Sequence, residues 1–336
     1  MRVAILAHGK FPDGAKTAVG VLRYADHEVV SVLDRDRAGE RVHDYLPDVQ
    51  DAPIFETMAD VPECDALVIG IAPIGGGFDE SWRPDVRTAI ERGCDVVSGL
   101  HYLLSEDDEF VSLAAEHDVD LRDVRNPPDD LTVAEADAND VDAHIVLTVG
   151  TDCSSGKMTG SFELRNAARE RGLDAAVVPT GQTGIMISGW GIAIDRVISD
   201  FAAGATERLV KEAGNNDVVF VEGQGALVHP AYSGVTTAIL HGSQPDSMVL
   251  CHVAGREEFG GYPDFPLPAL PEYVDLYEDM AAPISSATVD AGMINTHGMA
   301  ESDAEAAVTE YSDAIGVPAT DPVRYSADDI LDAVLE

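Results

Sequence analysis

Short apolar runs separated by helical patterns set the rhythm of this chain. Near the N-terminus, Arg2–Ala7 (RVAILA), Glu28–Leu33 (EVVSVL), Ala66–Ile71 (ALVIGI) and Asp95–Ser98 (DVVS) are brief and aliphatic, and read as buried strands. Between them, Thr17–Tyr24 and Pro84–Arg92 have helical character, with Pro84 suited to a first helical position. A Gly75-Gly76-Gly77 turn follows the third run. Strands alternating with helices imply parallel βαβ units, so residues 1–125 are expected to form a Rossmann-like domain. Residues 126–143 (NPPDDLTVAEADANDVDA) are Pro- and Asp-rich and mostly polar, and read as a linker.

The alternation restarts at His144–Thr148 (HIVLT), a strand that leads into a helix over Met158–Glu170. Ala175–Val178 reads as a strand, Ile192–Leu209 as a helix, and Asp217–Val221 and Ser247–Val253 as strands. Ala287–Ile294 has mixed helix and strand character, and Ser302–Ile315 reads as a helix with Ser302 as its N-cap. Residues 144–336 therefore predict a second parallel α/β domain. There is no internal repeat.

Composition narrows the function classes. The chain of 336 residues holds 61 acidic and 21 basic residues, a net charge of -40, and its lysines are Lys10, Lys16, Lys157 and Lys211. Such a surface keeps a protein soluble at high salt, and we read the source as a halophile. It argues against broad nucleic-acid binding, which needs a basic footprint, and against an anionic membrane surface. No apolar run reaches membrane-spanning length. The N-terminal MRVAILAHGK lacks a signal-peptide cleavage region. Cys64, Cys94, Cys153 and Cys251 are scattered, which indicates neither a zinc site nor a disulfide framework, and points to a reducing cytoplasm. A small-molecule substrate and a symmetric homo-oligomer are the default expectations.

The main chemical signal is Gly150-Thr151-Asp152-Cys153-Ser154-Ser155-Gly156-Lys157-Met158-Thr159. It lies between a strand and a helix, whose N-terminus offers free N–H groups to an anion. The glycines let the backbone wrap a phosphate, and Lys157 adds a point charge. Five residues separate Gly150 from Gly156, one more than in the common phosphate loop, and Met158 replaces the usual magnesium-binding hydroxyl. Thr159 follows one step later. A strand farther on, DVVFVEGQG places Glu222 at a C-terminal strand end, where a carboxylate holds a metal or acts as general base, or else caps a loop.

These two segments together resemble dethiobiotin synthetase and its relatives, in the Gly-Thr-Asp start, the extra loop residue and the Glu222-Gly223-Gln224-Gly225 strand end. The more extensive resemblance is to a two-domain family long catalogued as of unknown function, of which a D-glutamate N-acetyltransferase is a known member. It rests on Gly150–Thr159, Pro179–Gly184 (PTGQTG), Glu222–Gly234 (EGQGALVHPAYSG), His241–Asp246 (HGSQPD), Ala15–Tyr24 and Asp321–Arg324 (DPVR). The implied fold class is α/β with two parallel-sheet domains, an N-terminal Rossmann-like domain and a C-terminal P-loop NTPase-like domain.

Other segments supply candidates with two readings each. Gln182, Thr183 and Gly184 follow a strand and are candidates to bind substrate carboxylates, or form a tight turn. Gln224, His229, Tyr232 and Ser233 come just after Glu222. Acetylation needs an uncharged amine, so a base must take its proton; His229 and Glu222 are the candidates, with His229 alternatively a packed loop histidine. His241 and His252 have weaker claims. The dethiobiotin-synthetase resemblance implies that Asn295 reads the base of ATP or coenzyme A, a turn cap being the other reading. Arg324 is a candidate carboxylate clamp or one more surface charge. Lys10 and Lys16, beside Thr17, suggest a second anion-binding spot or an ion pair. Cys153 sits where a thiol is activated, but the related loop carries a threonine there and works without a thiol.

The leading expectation, from the resemblance, is an acetyl-CoA-dependent N-acetyltransferase acting on an acidic amino acid, D-glutamate, with the loop holding coenzyme A phosphates. Lys157 or loop N–H groups would then stabilise the oxyanion. The alternatives are an ATP- and magnesium-dependent ligase or kinase, with Thr159 and Glu222 round the metal, or a nucleotide sensor.

Overall fold

A computed structural model describes residues 1–73 and 75–336. In chain order the elements are β1 (Arg2–Leu6), α1 (Lys16–Tyr24), β2 (Glu28–Leu33), β3 (Ile54–Phe55), β4 (Ala66–Ile69), α2 (Arg83–Glu91), β5 (Asp95–Ser98), α3 (Asp108–His117) and β6 (Leu121–Asp123). There follow β7 (His144–Gly150), α4 (Lys157–Glu170), β8 (Ala175–Val178), α5 (Gln182–Ser188), α6 (Ser199–Ala213), β9 (Val218–Glu222), α7 (Ser233–Ser243) and β10 (Ser247–Val253). The remainder is β11 (Glu258–Phe259), β12 (Tyr262–Pro266), α8 (Leu270–Ala281), β13 (Thr288–Asn295), α9 (Glu301–Ile315), β14 (Ala319–Thr320) and α10 (Asp328–Leu335).

Two compact units result. Met1–Pro127 with Gln182–Ala193 form one, and Pro128–Gly181 with Ile194–Glu336 form the other. The first unit contains a parallel sheet in the order β3-β2-β1-β4-β5-β6, the doubly wound order of Rossmann folds. Its strands are almost wholly buried, as β1 with Val3, Ala4, Ile5 and Leu6 shows, because a parallel sheet is covered on both faces. Asp34, just past β2, is itself buried and accepts the N–H groups of Gly9 (3.0 Å) and Phe11 (3.1 Å) from the turn after β1. That carboxylate therefore shapes the turn.

The second unit contains a parallel sheet in the order β14-β13-β10-β7-β9-β8, with β11 and β12 as a separate antiparallel ribbon. Because β8 lies beyond β9, the chain leaves β7 at a point where its neighbours are β9 on one side and β10 on the other. Such a switch point opens a crevice at the carboxyl ends of the strands.

Several local expectations need correction. The single helix expected over Ile192–Leu209 is broken: Ile194–Arg196 is a 3-10 turn, and α6 starts only at Ser199 after an extended Ile198. Adjacent β-branched Val197 and Ile198 favour that extended step. The mixed Ala287–Ile294 segment is strand β13, paired with β10 along its length. The N-cap of α9 is Ala300, with Ser302 inside the first turn. Of the stretch read as a linker, residues 128–143 belong to the second unit and are tied to it at several points. Buried Glu207 accepts the N–H groups of Glu135, Ala136 and Asp137, and Gln244 accepts that of Ala138 at 2.9 Å.

Candidate functional site

The turn after β7 runs through Thr151–Gly156 into α4, whose first residue is Lys157. Its path needs left-handed backbone at Ser154 (φ 53°) and Gly156 (φ 101°). A Cβ on Gly156 would meet nothing within 4 Å, so backbone conformation alone demands glycine there. At Gly150 a Cβ would lie 2.5 Å from Ser155 Oγ and 2.8 Å from Lys157 Nζ, so any side chain there would push these two groups aside. Lys157 is buried, and its Nζ donates to the Asp152 carbonyl (2.7 Å) and Ser155 Oγ (3.2 Å).

Helix α8 holds the loop. The buried Tyr277 hydroxyl donates to the Gly150 carbonyl (2.7 Å) and accepts the N–H groups of Gly150 and Leu227, each at 3.3 Å. One turn earlier, Tyr273 donates to the Thr151 carbonyl at 2.8 Å. Burial raises both phenols above their ordinary value, so both remain protonated donors. Thr151 Oγ1 also meets His252 Nδ1 at 2.9 Å. Burial, helped by Arg256, pushes the His252 imidazole down to about 4, so it is neutral near pH 7.

Asp152 is completely buried and fully engaged. Its Oδ2 accepts Arg256 Nη1 at 2.8 Å and the Gly260 N–H at 2.9 Å, while Oδ1 accepts the Cys153 N–H at 2.6 Å. Oδ1 also lies 3.5 Å from His229 Nε2. His229 Nδ1 accepts the N–H groups of Ala231 (3.0 Å) and Tyr232 (3.3 Å). With its Nδ1 lone pair so used, the neutral ring carries its proton on Nε2. On that tautomer Nε2 faces Asp152 without a hydrogen-bond partner, an arrangement that favours Glu222 over His229 as the candidate base. Asp152, Cys153 and His229 approach closely enough to hold a metal ion, but the same protonation denies a metal the Nε2 lone pair. Burial lowers the His229 pKa, with Lys157 adding to the shift and Asp152 opposing it. The rings of Tyr232, Phe259 and Tyr262 surround the imidazole.

Glu222 ends β9, in register with Thr148 of β7. It is buried, and its Oε2 accepts the N–H groups of Thr180 and Gly181, each at 3.3 Å. Thr180 Oγ1 donates to the Glu222 carbonyl, and Gln224 Nε2 donates to Thr180 Oγ1 at 3.2 Å. Gly223 binds this arrangement to the phosphate loop. Its N–H donates to Thr148 Oγ1 at 3.2 Å, and a Cβ on it would lie 1.9 Å from the Thr148 carbonyl oxygen and 3.2 Å from Lys157 Cδ.

The remaining candidates separate. Met158 and Thr159 are half-buried on the first turn of α4, and Ser154 is exposed. Tyr232 and Ser233 lead into α7. Asn295 Oδ1 accepts the His297 N–H at 2.9 Å, which is the turn-cap reading. Arg324 donates to the carbonyls of Thr296 (3.3 Å) and Met299 (2.7 Å) and to Glu301 (3.0 Å), so the chain's own acceptors engage it. His241 Nε2 sits 3.1 Å from the Met280 carbonyl. Gln182, Thr183 and Gly184 are not a turn but open α5, in the first unit. There Arg125 donates to Gln182 Oε1 at 2.8 Å, and Thr183 Oγ1 meets Thr17 Oγ1 at 2.7 Å. Lys10 and Lys16 are exposed in that same unit. Sequence reasoning missed Arg256, Tyr273 and Tyr277. The i, i+4 spacing of Tyr273, Tyr277 and Ala281 was the available signal for α8.

A phosphate loop at a parallel-sheet switch point, in a chain that also carries a Rossmann-like unit, defines the class of protein. The chain belongs to the DUF1611 family. Residues 132–331 match its "Domain of unknown function (DUF1611_C) P-loop domain", and residues 35–127 match the "DUF1611_N Rossmann-like domain". A protein of Pseudoalteromonas sp. named D-glutamate N-acetyltransferase is 40% identical over 267 residues, which cover 79% of this chain and 80% of that one. A second of that name, from Tritonibacter scottomollicae, is 34% identical over 333 residues, covering 98% of this chain and 97% of that one. A crystal structure of a DUF1611 family protein from Anabaena variabilis superposes with a TM-score of 0.94 at 39% identity, covering 99% of both chains.

Proposed function

We propose that this protein transfers an acetyl group from acetyl-CoA to the amine of an acidic amino acid, D-glutamate. The observation that carries this reading is the 34% identity to a D-glutamate N-acetyltransferase along 98% of the chain. The site supports it. The N–H groups at the start of α4, the Gly156 turn and Lys157 fit a phosphate, and would hold the phosphates of coenzyme A. When bound, acetyl-CoA supplies an activated thioester carbonyl.

Glu222 is the residue proposed to take the amine's proton, since His229 Nε2 already carries one. Two backbone N–H groups fix the Glu222 carboxylate in place. Arg256 positions Asp152, and through it the loop. Gln224, Tyr232 and Ser233 remain the proposed substrate contacts in this unit. Lys10, Lys16, Gln182, Thr183 and Gly184 belong to the first unit and remain candidate ligand contacts of that unit. A cytoplasmic homo-oligomer suited to high salt completes the reading.

The test is to mix the full-length protein with D-glutamate and either acetyl-CoA or Mg-ATP, at low and at molar KCl, and follow free thiol and ADP. Thiol release that requires D-glutamate supports the proposal. ADP release without thiol replaces it with an ATP-dependent ligase or kinase using Thr159 and Glu222 round magnesium. Tight nucleotide binding without turnover replaces it with a sensor.

A further inference from the structure

Two cysteines far from the phosphate loop in sequence stand side by side in the first unit. Cys64 precedes β4 and Cys94 precedes β5, and these strands pair in parallel with Ala66 opposite Asp95. The two thiols therefore emerge at the same edge of neighbouring strands, with Sγ atoms 3.5 Å apart. Strands in a sheet lie about 4.8 Å apart, within the Cα separations of about 4.4–6.8 Å that a disulfide spans. A modest side-chain rotation thus suffices to join the sulfurs. Cys94 is 1% exposed, whereas Cys64 is half-buried. Both line a cleft of about 520 Å³ together with Arg2, Glu63, Asp65 and Arg92. Arg92 is anchored on the loop that carries Cys64, through the carbonyls of Val61 (2.8 Å) and Pro62 (3.1 Å).

We propose that Cys64 and Cys94 form a modification site that reacts with a small hydroperoxide and closes to a reversible disulfide. Cys64 is the attacking sulfur, because it faces the cleft and Arg92 supplies a nearby positive charge. The S–H of Cys94 has the Cys64 carbonyl (3.1 Å) and Cys64 Sγ within reach. Donation to Cys64 Sγ, with help from Arg92, draws the Cys64 thiol down to about 7, against burial and Asp65; Cys94 moves the opposite way and keeps its proton. The Cys64 thiolate takes the terminal OH of the peroxide, the O–O bond breaks, and the hydroxide or alkoxide released takes up the proton that Cys64 lost on ionising; Cys64 becomes a sulfenic acid. Cys94 sulfur then attacks the Cys64 sulfur, its proton leaves with the hydroxyl as water, and the S–S bond forms. Overall two thiols are oxidised and one peroxide is reduced.

The experiment treats full-length protein with hydrogen peroxide, blocks remaining thiols by alkylation, and maps peptides without reductant. The expected result is a Cys64–Cys94 linked peptide pair, lighter by two hydrogens, that disappears on reduction. In Cys94→Ser, Cys64 should instead accumulate as sulfinic acid. The proposal is overturned if both residues remain alkylatable after treatment, or if Cys64 reaches sulfinic acid to the same extent in wild type and Cys94→Ser.

Discussion

Gly223→Ala adds one carbon at the contact between β9 and β7, and its effect follows from the structure. The new Cβ would lie 1.9 Å from the Thr148 carbonyl oxygen, where an ordinary contact begins at 3.4 Å, so the strands must part by about 1.5 Å (3.4 less 1.9). Neither atom is at the end of a flexible side chain; both belong to packed backbone. Overpacking of this kind costs about 1–3 kcal/mol. In a unit of this size that lowers the melting temperature by roughly 2–12 °C. Separation also breaks the bond from the Gly223 N–H to Thr148 Oγ1 and displaces the stem of Lys157, so coenzyme A binding should weaken with stability. Gly234→Ala is the matched control. A Cβ there meets nothing within 4 Å, and Gly234 lies inside α7. Alanine should add about 0.5–1 kcal/mol to stability. Calorimetry on both variants reads the two signs. A Gly223→Ala protein that melts with the wild type would refute the described packing of Glu222 and Lys157.

Three further outcomes follow. Tyr277→Phe leaves the N–H groups of Gly150 and Leu227 without their buried acceptor; a loss of about 1–3 kcal/mol is expected, read as a lower melting temperature, and an unchanged one would show that α8 does not hold the loop. His229→Gln should lower turnover yet leave the acid-side midpoint of the kcat/KM pH profile in place, whereas Glu222→Gln should cost about 10²–10⁴ in kcat; a midpoint that vanishes with His229 would make the imidazole the base. For His252, whose pKa falls to about 4, the unfolded chain binds the extra proton between about 6.5 and 4. Its contribution to stability is therefore complete above about pH 6.5 and is lost as pH falls through that window, and His252→Gln should melt with a flatter acid decline. Equal slopes would contradict the burial assigned to it.

Much of this architecture was legible because parallel strands covered on both faces write continuous apolar runs, as RVAIL and DVVFV do. The two- and three-residue strands β3, β6 and β14 were not, since two residues carry no periodicity. The phosphate loop was legible because left-handed backbone at Gly156 and the crowding at Gly150 leave glycine little competition, and Lys157 is a rare residue here. The role of His229 was not legible. It depends on which N–H groups the backbone after it turns toward Nδ1, a property of the folded loop. Gln182 and Thr183 sit next to Gly181 in sequence, yet they open a helix that packs in the other unit. Adjacency alone could not reveal that the chain crosses between units at that bond. Tyr277 escaped notice because a buried tyrosine reads as core until its hydroxyl is traced to Gly150.

The central claim is that phosphates of coenzyme A dock at Lys157, and a calorimetric titration tests it most directly. Coenzyme A should bind the wild-type protein, and Lys157→Ala should bind it about tenfold to a hundredfold more weakly, the loss of charge-assisted hydrogen bonds worth about 1.5–3 kcal/mol. Equal affinity in the two proteins, or no binding to the wild type, would contradict it.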